Sequence, residues 1–177
     1  MFSGRYISDT FGRRALFWIP VGTLPDSALI VFARDDDYTF GVLQSRPHSL
    51  WALGTGTQVR EKESGFRYTP TSTFETFPFP QPTASQADSI STAARRLHEL
   101  RDGWLHAEPA PRSLTSLYSE SPTWLTQAHE RLDRDVLDAY GWPQDISDGD
   151  VLAGLLELNL RREAVPGARD DQVGPGT

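Results

Sequence analysis

Apolar positions along the chain fall into two patterns that meet near Pro80. Before it, short β-branched and aromatic runs alternate with turn residues: ALFWIPV at 15–21, SALIVFA at 27–33 and YTFGVLQ at 38–44. Runs of this length, bounded by Gly, Pro and Asp, predict strands. Asp35, Asp36 and Asp37 lie between the second and third runs. They can be read as a hairpin turn or as a carboxylate cluster for a metal; the flanking apolar runs and the absence of a second ligand group nearby favour the turn. Ser45, followed by RPHSLWAL and Gly54, predicts a short helix with Ser as N-cap and Gly as its stop. The polar stretch TQVREKESGF predicts an exposed loop running into a final strand over Phe66 to Phe77.

After Pro80 the period changes to that of helices. Ser85 with Asp88 has the spacing of a capping box, and Ile90, Ala93, Ala94, Leu97, Leu100 and Trp104 then recur on one face. A second helix is expected to open at Ser121-Pro122, to carry Leu125, Ala128, Leu132, Val136 and Tyr140 along one side, and to stop at Gly141. A third follows Ser147, with Asp150 three residues on, and sets Val151, Leu152, Leu155, Leu156 and Asn159 on its inner face. From about Val165 to Thr177 no apolar period remains, which predicts a disordered tail.

These elements predict an α+β fold: a small antiparallel or mixed sheet with one short helix over 1–80, a three-helix domain over 81–163, and a tail over 164–177. A length of 177 residues admits one compact domain or two small ones. The net charge of -7 would oppose a nucleic-acid partner, because phosphate neutralisation needs Lys and Arg. The charge is unevenly spread, however. Residues 1–80 hold eight basic and eight acidic side chains, and residues 81–177 hold nine basic and sixteen acidic. All the excess acid is in the second half. No membrane-length apolar run and no signal-peptide pattern are present, which predicts a cytoplasmic chain.

Several chemistries lack their residues. With no Cys there is no disulfide, thiolate zinc site or cysteine nucleophile. Gly54-Thr55-Gly56 is a lone GxG after a helix, the wrong context for a dinucleotide or methyl-donor loop. No base-holding NPPY-like tetrapeptide, P-loop, HExxH or GxSxG is found, and Glu61-Lys62 lacks the spacing of a nuclease motif. The four histidines, 48, 98, 106 and 129, are scattered and read as packing or surface residues. No catalytic residue, metal ligand or cofactor-binding residue is assigned to this chain.

Two longer patterns raise a family. The run FGVLQSRPHSLWALGTGTQVREKESGFRYTPTSTFETFPFP, at 40–80, resembles the end of the target recognition domain in MmeI-like restriction-modification proteins and related adenine-specific DNA methyltransferases. Its elements are FG, an S-R-x-H-x-x-W helix, a charged loop, RY, and a closing F-x-x-F-P-F-P. The stretch from Leu114 to Leu160, with LYxxxPxWL, YGWP and LLxLN, resembles the C-terminal helical domain of the same proteins. The family's methyl-donor and catalytic motifs lie upstream of these regions, so the chain resembles a C-terminal fragment: a split subunit, a truncated gene or the tail of a longer product. The resemblance implies reading of double-stranded DNA for a catalytic methyltransferase portion, in which S-adenosylmethionine would bind. The alternative is a protein-interaction or scaffold remnant, with its acidic helical half docked on a partner.

Base reading in the major groove needs planar donors and acceptors on a slender element. Arg60, Glu61, Lys62, Glu63 and Arg67 offer them, since Arg and Lys pair with guanine and Glu accepts from cytosine. The same mixture also describes any solvated hairpin. Ser45, Arg46 and His48, at a helix N-terminus, are candidates for holding a phosphate, with a cap plus a packed His as the other reading. Trp51, Tyr68, Phe74, Phe77 and Phe79 are expected to pack a seam rather than to stack on bases. The isolated chain is predicted to bind no S-adenosylmethionine: calorimetry should show no heat, and a micromolar isotherm would contradict the motif reading.

Overall fold

The computed structural model describes residues 4–7, 16–19, 30–32, 34–55, 57–58, 66–68, 70–108 and 112–164. In order they form β1 (Gly4–Ile7), β2 (Leu16–Ile19), β3 (Ile30–Phe32), α1 (Asp37–Gln44), α2 (Arg46–Thr55), β4 (Thr57–Gln58), β5 (Phe66–Arg67), a π-helical turn (Pro70–Phe74), α3 (Ala84–Leu105), α4 (Leu114–Glu120), α5 (Thr123–Tyr140) and α6 (Asp148–Glu163). The expected α+β class is corrected: among the described residues the packed body is helical. Strand is confined to short ladders, β1 antiparallel to both β2 and β3, and β4 antiparallel to β5.

The largest correction is at 38–44, expected as a strand and found as α1. Asp36 is its N-cap and accepts the Thr39 N–H at 2.6 Å, so the Asp triplet starts a helix instead of turning a hairpin. Thr39, Phe40, Gly41, Val42, Leu43 and Gln44 are all buried. A short helix buried on every side carries no periodic signature, and its apolar run looks the same as a buried strand's. Likewise, the strand expected over 66–77 reduces to β5, followed by the π-helical turn.

Gly41 lets α1 sit against its neighbours at close range. A Cβ there would lie 2.8 Å from Ile90 Cγ2, 3.0 Å from Ala94 Cβ and 3.2 Å from Leu132 Cδ1, on α3 and α5. Ile90, Ala93, Ala94 and Leu97 form the buried face of α3, and Leu125, Leu132, Val136 and Leu137 that of α5. The core continues from Leu16 and Phe32 through α1 and α2 to Val151 and Leu155 of α6.

Caps set the helix limits. Thr83 and Gln86 form the capping box of α3, two residues ahead of the Ser85–Asp88 pair expected for it. Ser121, expected to open the next helix, instead closes the additional short helix α4 in a left-handed conformation, φ 45°. Gly141, φ 71°, ends α5, and Ser147 accepts the Asp150 N–H to start α6. The tail expected over 164–177 lies, from Val165 onward, outside the described residues.

One charge lies inside this body. Arg101 of α3 is 2% exposed and has no carboxylate partner among the described residues. Its Nη2 donates to the Leu16 carbonyl at 2.6 Å, its Nη1 lies 3.3 Å from Gln44 Oε1 and 3.2 Å from the Tyr118 hydroxyl, and its guanidinium lies over the Phe40 ring. Gln44 Oε1 also accepts the Leu16 N–H at 3.0 Å. Neutral dipoles at Nη1 and Nη2 and a ring face thus replace part of the water that a buried cation loses, while Nε has no hydrogen-bond partner among the described residues; together Gln44 and Arg101 hold both backbone groups of Leu16 at the start of β2.

Gly41→Ala is predicted to lower the unfolding free energy by about 1–3 kcal/mol through overpacking. Gly103→Ala, where an added Cβ meets nothing within 4 Å, should be neutral or stabilising because Ala is the better helix former. Urea titration of both variants checks the contrast.

Candidate functional site

The site is built outward from the corner between α1 and α2. Ser45 has extended backbone, φ -78° and ψ 164°, and its hydroxyl donates back to the Val42 carbonyl at 2.6 Å. Its own carbonyl accepts the Ser49 N–H at 3.1 Å. The predicted helix start is therefore correct, but the hydroxyl closes α1 and does not cap α2. The Arg46 N–H donates to Asp133 Oδ1 at 2.6 Å, so a carboxylate from α5 meets the positive end of α2. The Arg46 guanidinium reaches the Asp148 carboxylate and the Ile146 carbonyl. The chain's own groups hold the place that an incoming phosphate was expected to take.

His48 is 3% exposed and lies one turn further along α2. Its Nε2 is 3.0 Å from the Tyr68 hydroxyl, and Phe77 packs edge-on to its ring at 4.9 Å. Burial pushes its pKa down to about 4, opposed by a hydrogen bond to the Leu43 backbone. A neutral, enclosed imidazole has no charge to offer a phosphate. Burial likewise drives the Tyr68 phenol far above its ordinary range. Trp51 Nε1 donates to the Thr73 carbonyl at 3.1 Å, and the Thr55 hydroxyl donates to the Trp51 carbonyl at 2.8 Å.

One residue beyond α2 the β4–β5 hairpin begins, with Thr57 opposite Arg67 and Gln58 opposite Phe66. Of the residues expected to read bases, Arg67 is thus placed by its backbone in β5. Arg60, Glu61, Lys62 and Glu63 belong to the connection between the two strands and lie outside the described residues. Below the hairpin, the aromatic residues pack on one another: Phe32 with Phe74 at 4.6 Å, Phe77 with Phe79 at 5.1 Å and Phe74 with Phe79 at 6.0 Å.

Four side chains strap the segment from Thr76 to Pro80 onto the helices, through contacts that sequence reasoning missed. Asn159 donates to the Thr76 carbonyl at 2.7 Å, Tyr140 to Pro78 at 2.8 Å, Arg162 to Phe79, and Tyr38 to Pro80 at 3.2 Å. Burial and the Asp36 charge push the Tyr38 phenol up to about 12. A polar Asn159 on an otherwise apolar face was the one available signal. Among the described residues no cluster of three or more His, Cys, Asp or Glu is arranged to hold a metal, and no helix is long and apolar enough to cross a membrane.

No family model matches the chain. DNA methyltransferase A of Bacillus subtilis (strain 168) is 30% identical over 149 residues, which cover 80% of this chain and 16% of that protein. A solved structure of the type IIL restriction-modification enzyme MmeI in complex with DNA matches with a TM-score of 0.81 and 24% identity, over 93% of this chain and 22% of that one. The chain is similar to the C-terminal part of MmeI-like methyltransferases. It spans less than a quarter of the length of either relative. The MmeI-like fold extends across both sides of Pro80, in agreement with the continuous core.

The depressed His48 pKa has a defined consequence for stability. The unfolded chain takes up the proton near pH 6.5 and the folded one only near 4, so His48's contribution is complete above about pH 6.5 and is lost as pH falls toward 4. The expected slope is about 1.4 kcal/mol per pH unit in that window. Urea unfolding of the wild type and of His48→Gln across this range should show the slope in the first and its absence in the second.

Proposed function

We propose that this chain reads DNA sequence for an MmeI-like adenine methyltransferase, with S-adenosylmethionine binding and methyl transfer carried by a separate catalytic portion. The observation that supports this reading is the fold likeness to DNA-bound MmeI over nearly the whole chain. In this reading residues 1–80 present the reading surface and residues 81–163 support it, with double-stranded DNA as the partner. Arg60, Glu61, Lys62, Glu63 and Arg67 are assigned to base edges because alternating donors and acceptors suit edge discrimination, whereas phosphate binding alone would call for basic residues throughout. Ser45, Arg46 and His48, with their internal partners, support the surface from beneath.

A second reading, in which the helical half docks on a protein partner without reading DNA, draws on the excess of acid over 81–177. The two differ in what the hairpin connection does.

Exchanging the charges at Glu61 and Lys62 in the complete assembly separates them. Losing a bidentate edge contact costs about 1–3 kcal/mol at one base position. Methylated-site sequencing should therefore report a new preferred base at one or two positions. Arg161→Ala, on the helical half, should at most weaken all sequences alike and flatten the salt dependence. An unchanged motif with normal activity after the exchange would favour the docking reading.

A further inference from the structure

We infer that the His48–Tyr68 hydrogen bond sets the direction in which the β4–β5 hairpin leaves the body, making His48 and Tyr68 positioning residues for base discrimination; the inference rests on the DNA-reading function proposed above. The β4–β5 ladder has two residue pairs, Thr57 with Arg67 and Gln58 with Phe66. Two-stranded hairpins are marginal on their own, so this one must take its orientation from what holds its base. One foot continues from the end of α2 at Thr55. The other is Tyr68, the residue after β5.

His48, Trp51 and Thr55 are spaced three and four residues apart on α2 and so share one face. That face grips the returning chain at three places. His48 Nε2 meets the Tyr68 hydroxyl at 3.0 Å, Trp51 Nε1 donates to the Thr73 carbonyl at 3.1 Å, and the Thr55 hydroxyl lies 3.5 Å from that of Thr73. The Tyr68 contact is the one nearest the hairpin. Both its partners are buried and held by rings, Tyr68 edge-on to Phe32 at 6.2 Å and His48 against Phe77.

Hydrogen bonds to base edges tolerate only small errors of distance and angle. A hairpin free to swing about its first foot would still carry its charges to the DNA surface, but would present them to the wrong edge more often. Loss of the anchor should therefore reduce discrimination while general attraction to phosphate persists. A purely structural role predicts a different result, with activity falling on all sequences in proportion to the folded protein lost.

The test uses the chain assembled with the methyltransferase portion of its own system, comparing methylation of the preferred site with single-base variants. Tyr68→Phe and His48→Leu should each reduce discrimination about fivefold, the equivalent of one net hydrogen bond, with folded protein still present by circular dichroism. His48→Gln, which keeps a polar partner for the Tyr68 hydroxyl, should restore most of it. Unchanged discrimination in Tyr68→Phe, in an assembly where the Glu61–Lys62 exchange does change the motif, overturns the anchor and leaves the reading function standing. An unchanged motif after that exchange overturns both. Hydrogen exchange on the wild-type chain needs no variant to fold. Amides of 57–58 and 66–68 should be protected comparably to those of α2, and exchange at open-peptide rates there contradicts an anchored base.

Discussion

The close seating of α1 on α3 and α5 at Gly41 is the constraint on which the other contacts depend. A backbone can approach two helices this closely only where it carries no side chain, and Ile90, Ala94 and Leu132 fill the space that a Cβ would take. Once α1 is fixed there, the sharp corner at Ser45 determines where α2 starts. Asp133 and Asp148 then hold Arg46 from two further elements. The direction of α2, and with it the base of the hairpin, follows from helices more than eighty residues away in sequence.

Polar side chains complete this frame where apolar packing alone could not orient it. Arg101 and Gln44 hold the backbone of Leu16, Tyr38, Tyr140 and Arg162 hold carbonyls of the Phe-Pro-Phe-Pro segment, and Asn159 holds that of Thr76 just before it. Proline removes backbone donors from that segment, so it cannot join a ladder through its own N–H groups at those positions. Its carbonyls remain and meet side chains from three helices. Hydrogen bonds of this kind carry direction, which nonpolar contact does not, and they fix how the two halves of the chain face each other.

What the sequence made legible follows the range of the interactions involved. The caps at Ser147 and Gly141 and the inner face of α3 depend on neighbours within a turn, and they appear where residue types and spacing place them. The helix at 37–44 depends on burial from all sides, which leaves no period to read, and was expected as a strand for that reason. Thr83–Gln86 and Ser85–Asp88 both have acceptable cap spacing, and the first of them starts α3. Arg101 shares a face with Leu97, but a charge looks like a solvent-facing residue until Leu16, Gln44 and Tyr118 are brought around it by the fold. At the candidate site, the position of the Ser45 corner was readable from local chemistry. The partners of Arg46 and His48 were not, because Asp133, Asp148 and Tyr68 come from other elements.

The resulting arrangement is a helical support from which the short β4–β5 hairpin leaves beside the His48–Tyr68 contact, on a fold shared with part of a DNA-bound restriction-modification enzyme. The most direct measurement places a photo-crosslinking side chain at position 61 of the assembled enzyme on its preferred duplex, with position 157 on the exposed side of α6 as the comparison. Crosslinks from position 61 to bases of the recognition site, and none from position 157, are the predicted result. No crosslink to recognition bases from position 61, or equal labelling from both positions, would contradict a hairpin that reads DNA.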